Sequence, residues 1–239
     1  MEAYFALVRR DLEQLTGSWL LRGWAVLLAA PAAFLVVVAA REEELASETL
    51  AAYVAAVLAP LSWLVVSYLA GTAVSGEANV VADAILSKSV TRSEYIWSKI
   101  TSRLAVFIAV YLAVVVPFVY LMDRYAMTND TSLDGVVGGV VMVGVLFVFL
   151  TSFGIALSTL FRNSQYAVVA VLLTVAVSGA VLQFLGLKWM STTAVIGELP
   201  QTFRGETPIA DQVRVLVVFT ALSAAAVAFG VWVFERRDL

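Results

Sequence analysis

The sequence predicts an all-α integral membrane protein with six membrane-spanning helices. Of its 239 residues, 62% are hydrophobic and only 14% are charged, and the mean hydropathy is +0.93. Soluble domains carry about 25% charged residues, so this composition argues against a soluble fold. The hydrophobic residues also fall into six runs, each long enough to cross roughly 30 Å of hydrocarbon as a helix.

The six runs follow one another with short polar breaks. They extend over Trp24 to Ala40, Leu50 to Val74, Leu104 to Leu121, Val136 to Leu160, Tyr166 to Leu187 and Val213 to Phe234. Arg214, near one end, is the only charge in them. Pro31, Pro60 and Pro117 lie inside runs, where a missing donor predicts bends. We expect one transmembrane domain over residues 1–239.

The distribution of basic residues predicts the orientation. With the first segment inside, ten of the fifteen Lys and Arg residues lie on the cytoplasmic side, and Glu42, Glu43 and Glu44 lie in the first outer loop. Because basic residues favour the cytoplasmic side, both termini are expected there. We therefore predict a multi-pass protein of the plasma membrane.

The segment 1–20 has the spacing of an amphipathic helix. Its apolar stripe comprises Tyr4, Val8, Leu12, Leu15 and Trp19. Such a helix lies along the membrane interface, and we expect the rings of Trp19 and Trp24 at headgroup depth. The alternative is an extension that packs on its own protein.

The segment 75–102, between spans two and three, is the longest predicted cytoplasmic loop. Apolar residues from Val80 to Ile85 recur at helical spacing beside Glu77 and Asp83, and the pattern breaks at residues 87–91. Ser93 then precedes Glu94 as a plausible cap of the next helix. The pattern predicts a short helix, a turn and a second helix start, which suits docking into a groove on another protein.

The same segment resembles the cytoplasmic signature of type 2 ATP-binding-cassette (ABC) permeases. That family typically has a Glu, a Gly-Thr pair, a Leu-Leu-Ser-x-Pro-Val-Ser-Arg stretch and a Lys at this place. Here Glu77 follows span two, residues 85–95 read ILSKSVTRSEY, and Lys99 precedes span three. Ser89 replaces the usual Pro, and Val81-Ala82 occupies the region of the Gly-Thr pair. The six spans, the amphipathic first segment and the closing residues 234–239 are also similar to the family.

The resemblance implies the permease subunit of a transporter that works in the export direction. It implies a separate cytoplasmic ATPase subunit that binds ATP and Mg, and a second permease copy, identical or paralogous. The residues implied in ATPase coupling are Glu77, Asp83, Leu86, Ser87, Lys88, Thr91, Arg92, Tyr95 and Lys99. The alternative for these positions is a solvated loop that obeys the positive-inside rule.

Several kinds of chemistry are not supported by the sequence. It has no His and no Cys, and it lacks the GxxxxGK[ST] loop that binds nucleotide phosphates. We therefore expect no enzyme activity, metal or cofactor in this chain, and any ATP to be hydrolysed by a partner. The net charge of −3 argues against nucleic-acid binding. A membrane scaffold that recruits a cytoplasmic partner through the same loop is the alternative function.

The spans contain polar residues and regularly spaced small residues, and a longer outer segment precedes the last span. Tyr68, Thr72, Ser178 and Gln183 are candidates for a substrate pathway, although each could equally bond a backbone carbonyl or a neighbouring helix. Small residues at four-residue spacing allow helices to approach closely; they are Ser67, Gly71 and Ser75 in span two and Gly135 and Gly139 in span four. The outer segment 188–212 is expected to be either a plain loop or one containing a short helix.

Overall fold

The computed structural model describes residues 2–77, 90–161 and 163–236, apart from the side chains of residues 2, 77 and 188. Within these residues, six helices are long and apolar enough to cross a membrane. They are α2 (Trp19–Ala39), α3 (Ala46–Gly71), α4 (Arg92–Tyr125), α5 (Leu133–Leu160), α6 (Ser164–Phe184) and α9 (Ile209–Arg236). The prediction of six helical spans is confirmed.

Three shorter helices and two turns complete the described structure. Helix α1 (Glu2–Gly17) precedes the first span, and α7 (Thr192–Gly197) and α8 (Leu199–Arg204) precede the last. Single 3₁₀ turns occupy Ser75–Glu77 and Lys188–Met190. The segment 188–212 is therefore not a plain loop, because it holds two short helices.

Helix α3 contains one π-helical turn, Val54–Leu58, which ends two residues before Pro60. The Ala59 N–H donates to the Val54 carbonyl, five residues back. A proline has no N–H and its ring crowds the preceding turn. A widened turn accommodates both the missing hydrogen bond and the ring. The irregularity expected at Pro60 takes this form, whereas α2 and α4 continue through Pro31 and Pro117.

Helix α5 lies at the centre of the bundle. It is the most buried of the six spans, and α6 is the least buried. The Trp24 ring is fully buried, with its centroid 6.0 Å from that of Phe107 and 6.4 Å from that of Phe147. Protein rather than lipid therefore surrounds the Trp24 ring, and its depth in the membrane stays a prediction. Trp19, by contrast, is 89% exposed.

Small residues bring neighbouring helices close together, as their spacing predicted. A Cβ placed on Gly71 of α3 would lie 3.0 Å from Val168 Cγ2 of α6. A Cβ on Gly135 of α5 would overlap the backbone carbonyl of Thr202 in α8. The absence of a side chain at these two positions allows the close approach.

Candidate coupling site

The predicted coupling residues fall into two groups in the structure. Asp83, Leu86, Ser87 and Lys88 lie outside the described residues. Glu77 ends the 3₁₀ turn after α3. Thr91 is the N-cap residue of α4, and Arg92, Tyr95 and Lys99 lie in its first two turns. We call this end of the bundle, where α3 ends and α4 begins, the loop end.

Helix α4 begins with a capping box formed by Thr91 and Glu94. The Thr91 hydroxyl oxygen accepts from the Glu94 N–H at 3.2 Å, and Glu94 Oε2 accepts from the Thr91 N–H at 3.2 Å. This reciprocal pair satisfies two backbone donors that a helix start leaves free. The predicted cap at Ser93 is therefore wrong by two residues, and Ser93 is exposed inside the first turn. Helix α4 begins twelve residues before Leu104, so the helix of span three extends beyond the hydrophobic run.

The first turn of α4 is attached to the end of α9. Arg92 Nη1 donates to the Glu235 carbonyl at 2.8 Å. The buried ring of Tyr95 stacks on that of Phe234, with 5.6 Å between centroids and 25° between planes. These contacts hold the start of α4 against the last residues of the described chain.

Lys99 is buried in the protein and bonded to α1. Its Nζ lies 2.7 Å from Asp11 Oδ1, and only 5% of Lys99 is exposed. Ser102 donates to the other Asp11 oxygen, and Arg103 Nε lies 3.7 Å from it. Lys99 thus contacts the first helix rather than presenting its ammonium to solvent.

Sequence analysis missed Asp11 as a functional candidate. It lies three residues after Val8 and four before Leu15, so it belongs to the stripe that faces α4. Only 3% of it is exposed, whereas Arg9 and Glu13 form a pair in solvent. A charged residue at a stripe position was the available signal, because such a residue requires a partner where the stripe is buried.

The segment between α3 and the loop is also held in place. Ser158 Oγ, near the end of α5, accepts from the Val74 N–H at 3.0 Å and from the Ser75 N–H at 3.1 Å. Ser75 Oγ donates to the Gly71 carbonyl at 3.0 Å. The two ends of segment 75–102, which we call its stems, are therefore bonded to other helices. The first stem is bonded to α5, and the second to α1 and α9.

A second polar cluster lies at the opposite end of the bundle and was also missed. Arg204, the last residue of α8, donates to Asp130 Oδ2 at 2.9 Å and to Glu48 Oε1 at 2.8 Å. Asp130 also accepts from the Ser47 N–H at 2.9 Å and from its hydroxyl at 2.6 Å. We call these four residues the Arg204 cluster; it connects the start of α3, the α4–α5 connection and α8.

The electrostatics of the Arg204 cluster favour the ionised carboxylate. Partial burial alone raises the pKa of Asp130, but the hydrogen bonds from Ser47 and Arg204 outweigh it, and the pKa lies below its ordinary value. Bonds to the charged form of a group stabilise that form. The pKa of Arg204 is raised, first by its hydrogen bond to Asp130.

The four pathway candidates do not meet at one place. Thr72 and Ser178 donate to carbonyls of their own helices, Tyr68 and Val175. Tyr68 is 51% exposed, and Gln183 is exposed as well. In the described part of the chain, a cavity of about 30 Å³ lies between α3, α5, α6 and α7, and none of the four lines it. Two of its lining hydroxyls, those of Ser62 and Thr192, have no hydrogen-bond partner in the described structure.

Comparison with protein families connects these features to a function. A family model described as ABC-2 family transporter protein matches residues 72–239. The chain belongs to the ABC-2 transporter family. The match covers segment 75–102 and the last four spans. No curated protein sequence matches the chain.

Family membership confirms the resemblance drawn from the loop residues. The chain is thus a multi-pass membrane permease component of an ABC transporter rather than a catalytic subunit. The family also implies a membrane environment and a partner ATPase. The match includes both stems of segment 75–102, where Ser158 and the α4 cap hold the chain.

Proposed function

We propose that this chain is the permease subunit of an ABC exporter of the plasma membrane. Two copies, identical or paralogous, act together with a separate cytoplasmic ATPase subunit that binds ATP and Mg. The ATPase docks on segment 75–102, and both termini lie on the same cytoplasmic side. Helix α1 lies along the cytoplasmic interface of the bilayer.

The attachment of both loop stems supports this proposal most strongly. A docked partner exerts force on segment 75–102, and a loosely held loop would absorb that displacement. Here the first stem is bonded to Ser158 of α5, and the second begins in a capped helix packed on Phe234 of α9. Displacement of the loop is therefore transmitted to helices that span the bundle.

The export direction follows the family resemblance, and the substrate class rests on the spans themselves. The predicted hydrophobic runs carry no charge except Arg214, whose guanidinium lies 3.6 Å from the centroid of the Trp189 ring. Ion-coupled carriers normally keep an acid or a histidine at membrane depth. Export of a lipid-like, peptide or small hydrophobic substrate, driven by the ATPase, fits such spans.

Co-purification tests the partner. Tagged permease is co-expressed with the ATPase encoded beside it, and retention is measured in detergent and in nanodiscs. We expect Glu77→Gln and Arg92→Ala to weaken retention about tenfold, or about 1.4 kcal/mol. Arg10→Gln is the control, because Arg10 is an exposed cation on α1. If the unmodified permease never retains an ATPase, the proposal is wrong; retention of a different cytoplasmic protein would favour the scaffold.

A further inference from the structure

Three charged side chains are buried together where α1 packs on α4. Asp11, Lys99 and Arg103 are 3%, 5% and 6% exposed. The Asp11 carboxylate lies 2.7 Å from Lys99 Nζ and 3.7 Å from Arg103 Nε, and it accepts from the Ser102 hydroxyl. One carboxylate therefore pairs with two cations. We call Asp11, Lys99, Ser102 and Arg103 the Asp11 cluster.

The Asp11 cluster is not the sole contact that α1 makes with the rest of the described structure. The same face of α1 supplies apolar contact, with Leu15 buried and Leu12 packed against the core. Replacing a buried ion pair by apolar residues is often neutral or stabilising, whereas removing one partner costs about 3–5 kcal/mol. What an ion pair adds over apolar contact is a defined geometry, since the charges tolerate only arrangements that keep them paired.

The geometry fixes both the register and the rotation of α1. Tyr4 donates to Thr101 Oγ1 at 2.9 Å, two turns before the Asp11 contact. The two polar contacts lie two turns apart on α1 and within residues 99–103 of α4, so they restrict both the position and the rotation of α1 on α4. The helix is thus attached to α4 at two points rather than resting on it.

The Asp11 cluster is continuous with the contacts at the start of α4. Lys99 Nζ lies 5.5 Å from the centroid of the Tyr95 ring, and that ring stacks on Phe234 of α9. The first turns of α4 therefore contact α9 through Tyr95 and α1 through Lys99. These contacts lie just after the loop that the proposed ATPase would displace.

We propose that Asp11 is a positioning residue that makes α1 move with the start of α4 as one rigid unit. This inference rests on the proposed function, because the ATPase supplies the displacement. When segment 75–102 is displaced, α4 carries α1 with it through Asp11. The exposed apolar side chains of Phe5 in α1 and of Trp19 at the start of α2 then move against the bilayer.

Spin-label distances in the complex test this unit directly. The chain has no native cysteine, so the introduced cysteines are the only labelling sites in the permease. Labels at Arg10 and Ser93, both exposed, report α1 against the start of α4. Labels at Ser93 and Leu133 report the start of α4 against the opposite end of the bundle. Both pairs are measured in nanodiscs, with the ATPase bound, without and with ATP.

We expect the 10–93 distribution to be narrow and unchanged by ATP, while the 93–133 distance shifts. Asp11→Asn removes the charge at nearly constant volume, and we expect it to widen the 10–93 distribution about twofold. Lys99→Met should have a smaller effect, because Arg103 still faces the carboxylate. Glu13→Gln, two residues from Asp11 but in solvent, should leave the distribution unchanged.

The outcomes separate this inference from the proposed function. A 10–93 distribution that stays narrow in Asp11→Asn would show that the carboxylate does not position α1. If Asp11→Asn does not fold, the triple variant Asp11→Leu, Lys99→Met and Arg103→Met replaces the buried charges by apolar side chains, and a 10–93 distribution as narrow as the unmodified one has the same meaning. A 93–133 distance that never responds to ATP would instead argue against ATPase coupling. In that case the width of the 10–93 distance distribution in Asp11→Asn still decides the role of Asp11.

Discussion

Asp130 shows how a single side chain can connect three segments that are distant in the sequence. Its carboxylate accepts from Ser47 of α3 and from Arg204 of α8. The Asp130 side chain is 20% exposed and the Arg204 side chain 25%. A charge-assisted, multiply bonded carboxylate of this kind contributes more than an isolated surface ion pair.

The stability supplied by Asp130 is expected to depend on pH. Because the folded-state pKa lies below the ordinary value of 3.8, its contribution is full above that value and is lost as the pH falls through the folded-state pKa. Asp130→Asn should therefore lower the melting temperature at neutral pH, and the difference from the unmodified protein should shrink in acid. Thermal unfolding in detergent between pH 7 and about pH 3 measures it. Glu43→Gln is the control, and an equal pH trend in both variants would contradict the assignment.

Thr91 is expected to stabilise the first turn of α4. Thr91→Ala removes the two bonds of the Thr91 hydroxyl, which accepts from the Glu94 N–H and donates to Glu94 Oε2, but keeps the backbone N–H that donates to Glu94 Oε2. Loss of the N-cap hydroxyl costs about 1 kcal/mol. Hydrogen exchange of the amides at Glu94 and Tyr95 should become about fivefold faster. Ser93→Ala is the matched control, because Ser93 is also a good cap former but lies inside the helix. Equal acceleration in the two variants would indicate that Thr91 is not the cap.

At the scale of elements, the packing of α8 on α5 depends on the absence of a side chain at Gly135. The Ser132 N–H donates to the Phe203 carbonyl at 2.9 Å. A methyl group at Gly135 meets the backbone of Thr202, Phe203 and Gly205 rather than a flexible side chain. The two elements therefore cannot accommodate a larger residue without moving apart.

Gly135→Ala is expected to destabilise this contact by about 1–3 kcal/mol, as overpacking typically does. Gly144→Ala is the control on the same helix, because its Cβ would be in ordinary contact, 3.5 Å from the Tyr111 ring. Melting temperature and protease cleavage between residues 197 and 209 report the displacement of α8. Similar values for the two variants would contradict the close packing.

Elements differ in how well sequence predicts them. The six spans were predictable because hydrophobic runs are local in the chain and must be long enough for the bilayer. The burial of the first turns of α4 was not predictable, because Lys99 and Arg103 resemble loop charges until Asp11, 88 residues from Lys99, is seen to pair with both of them. The cap at Thr91 was available in principle, since Glu94 follows it by three residues as in a capping box. Pairings such as Asp130 with Arg204 depend on tertiary contacts that spacing does not reveal.

At the scale of the whole molecule, the two polar clusters lie at opposite ends of the bundle. The Asp11 cluster lies at the loop end, and the Arg204 cluster lies where α4 ends and α5 begins. The central helix α5 runs between these ends, from Leu133 to Leu160. The orientation of this axis in the membrane decides which cluster an ATPase reaches.

The charge bias predicts that the loop end is cytoplasmic, and labelling of introduced cysteines tests this orientation. The measurement uses intact cells and a membrane-impermeant maleimide, and the positions Glu43, Glu206, Arg10 and Ser93 are all exposed in the structure. We expect Glu43→Cys and Glu206→Cys to be labelled without permeabilisation, because the outer side carries five of the fifteen basic residues. Arg10→Cys and Ser93→Cys should be labelled only after permeabilisation. Labelling of Ser93→Cys in intact cells would place the loop outside, where no cytoplasmic ATPase reaches it, and would overturn the docking proposal together with the orientation.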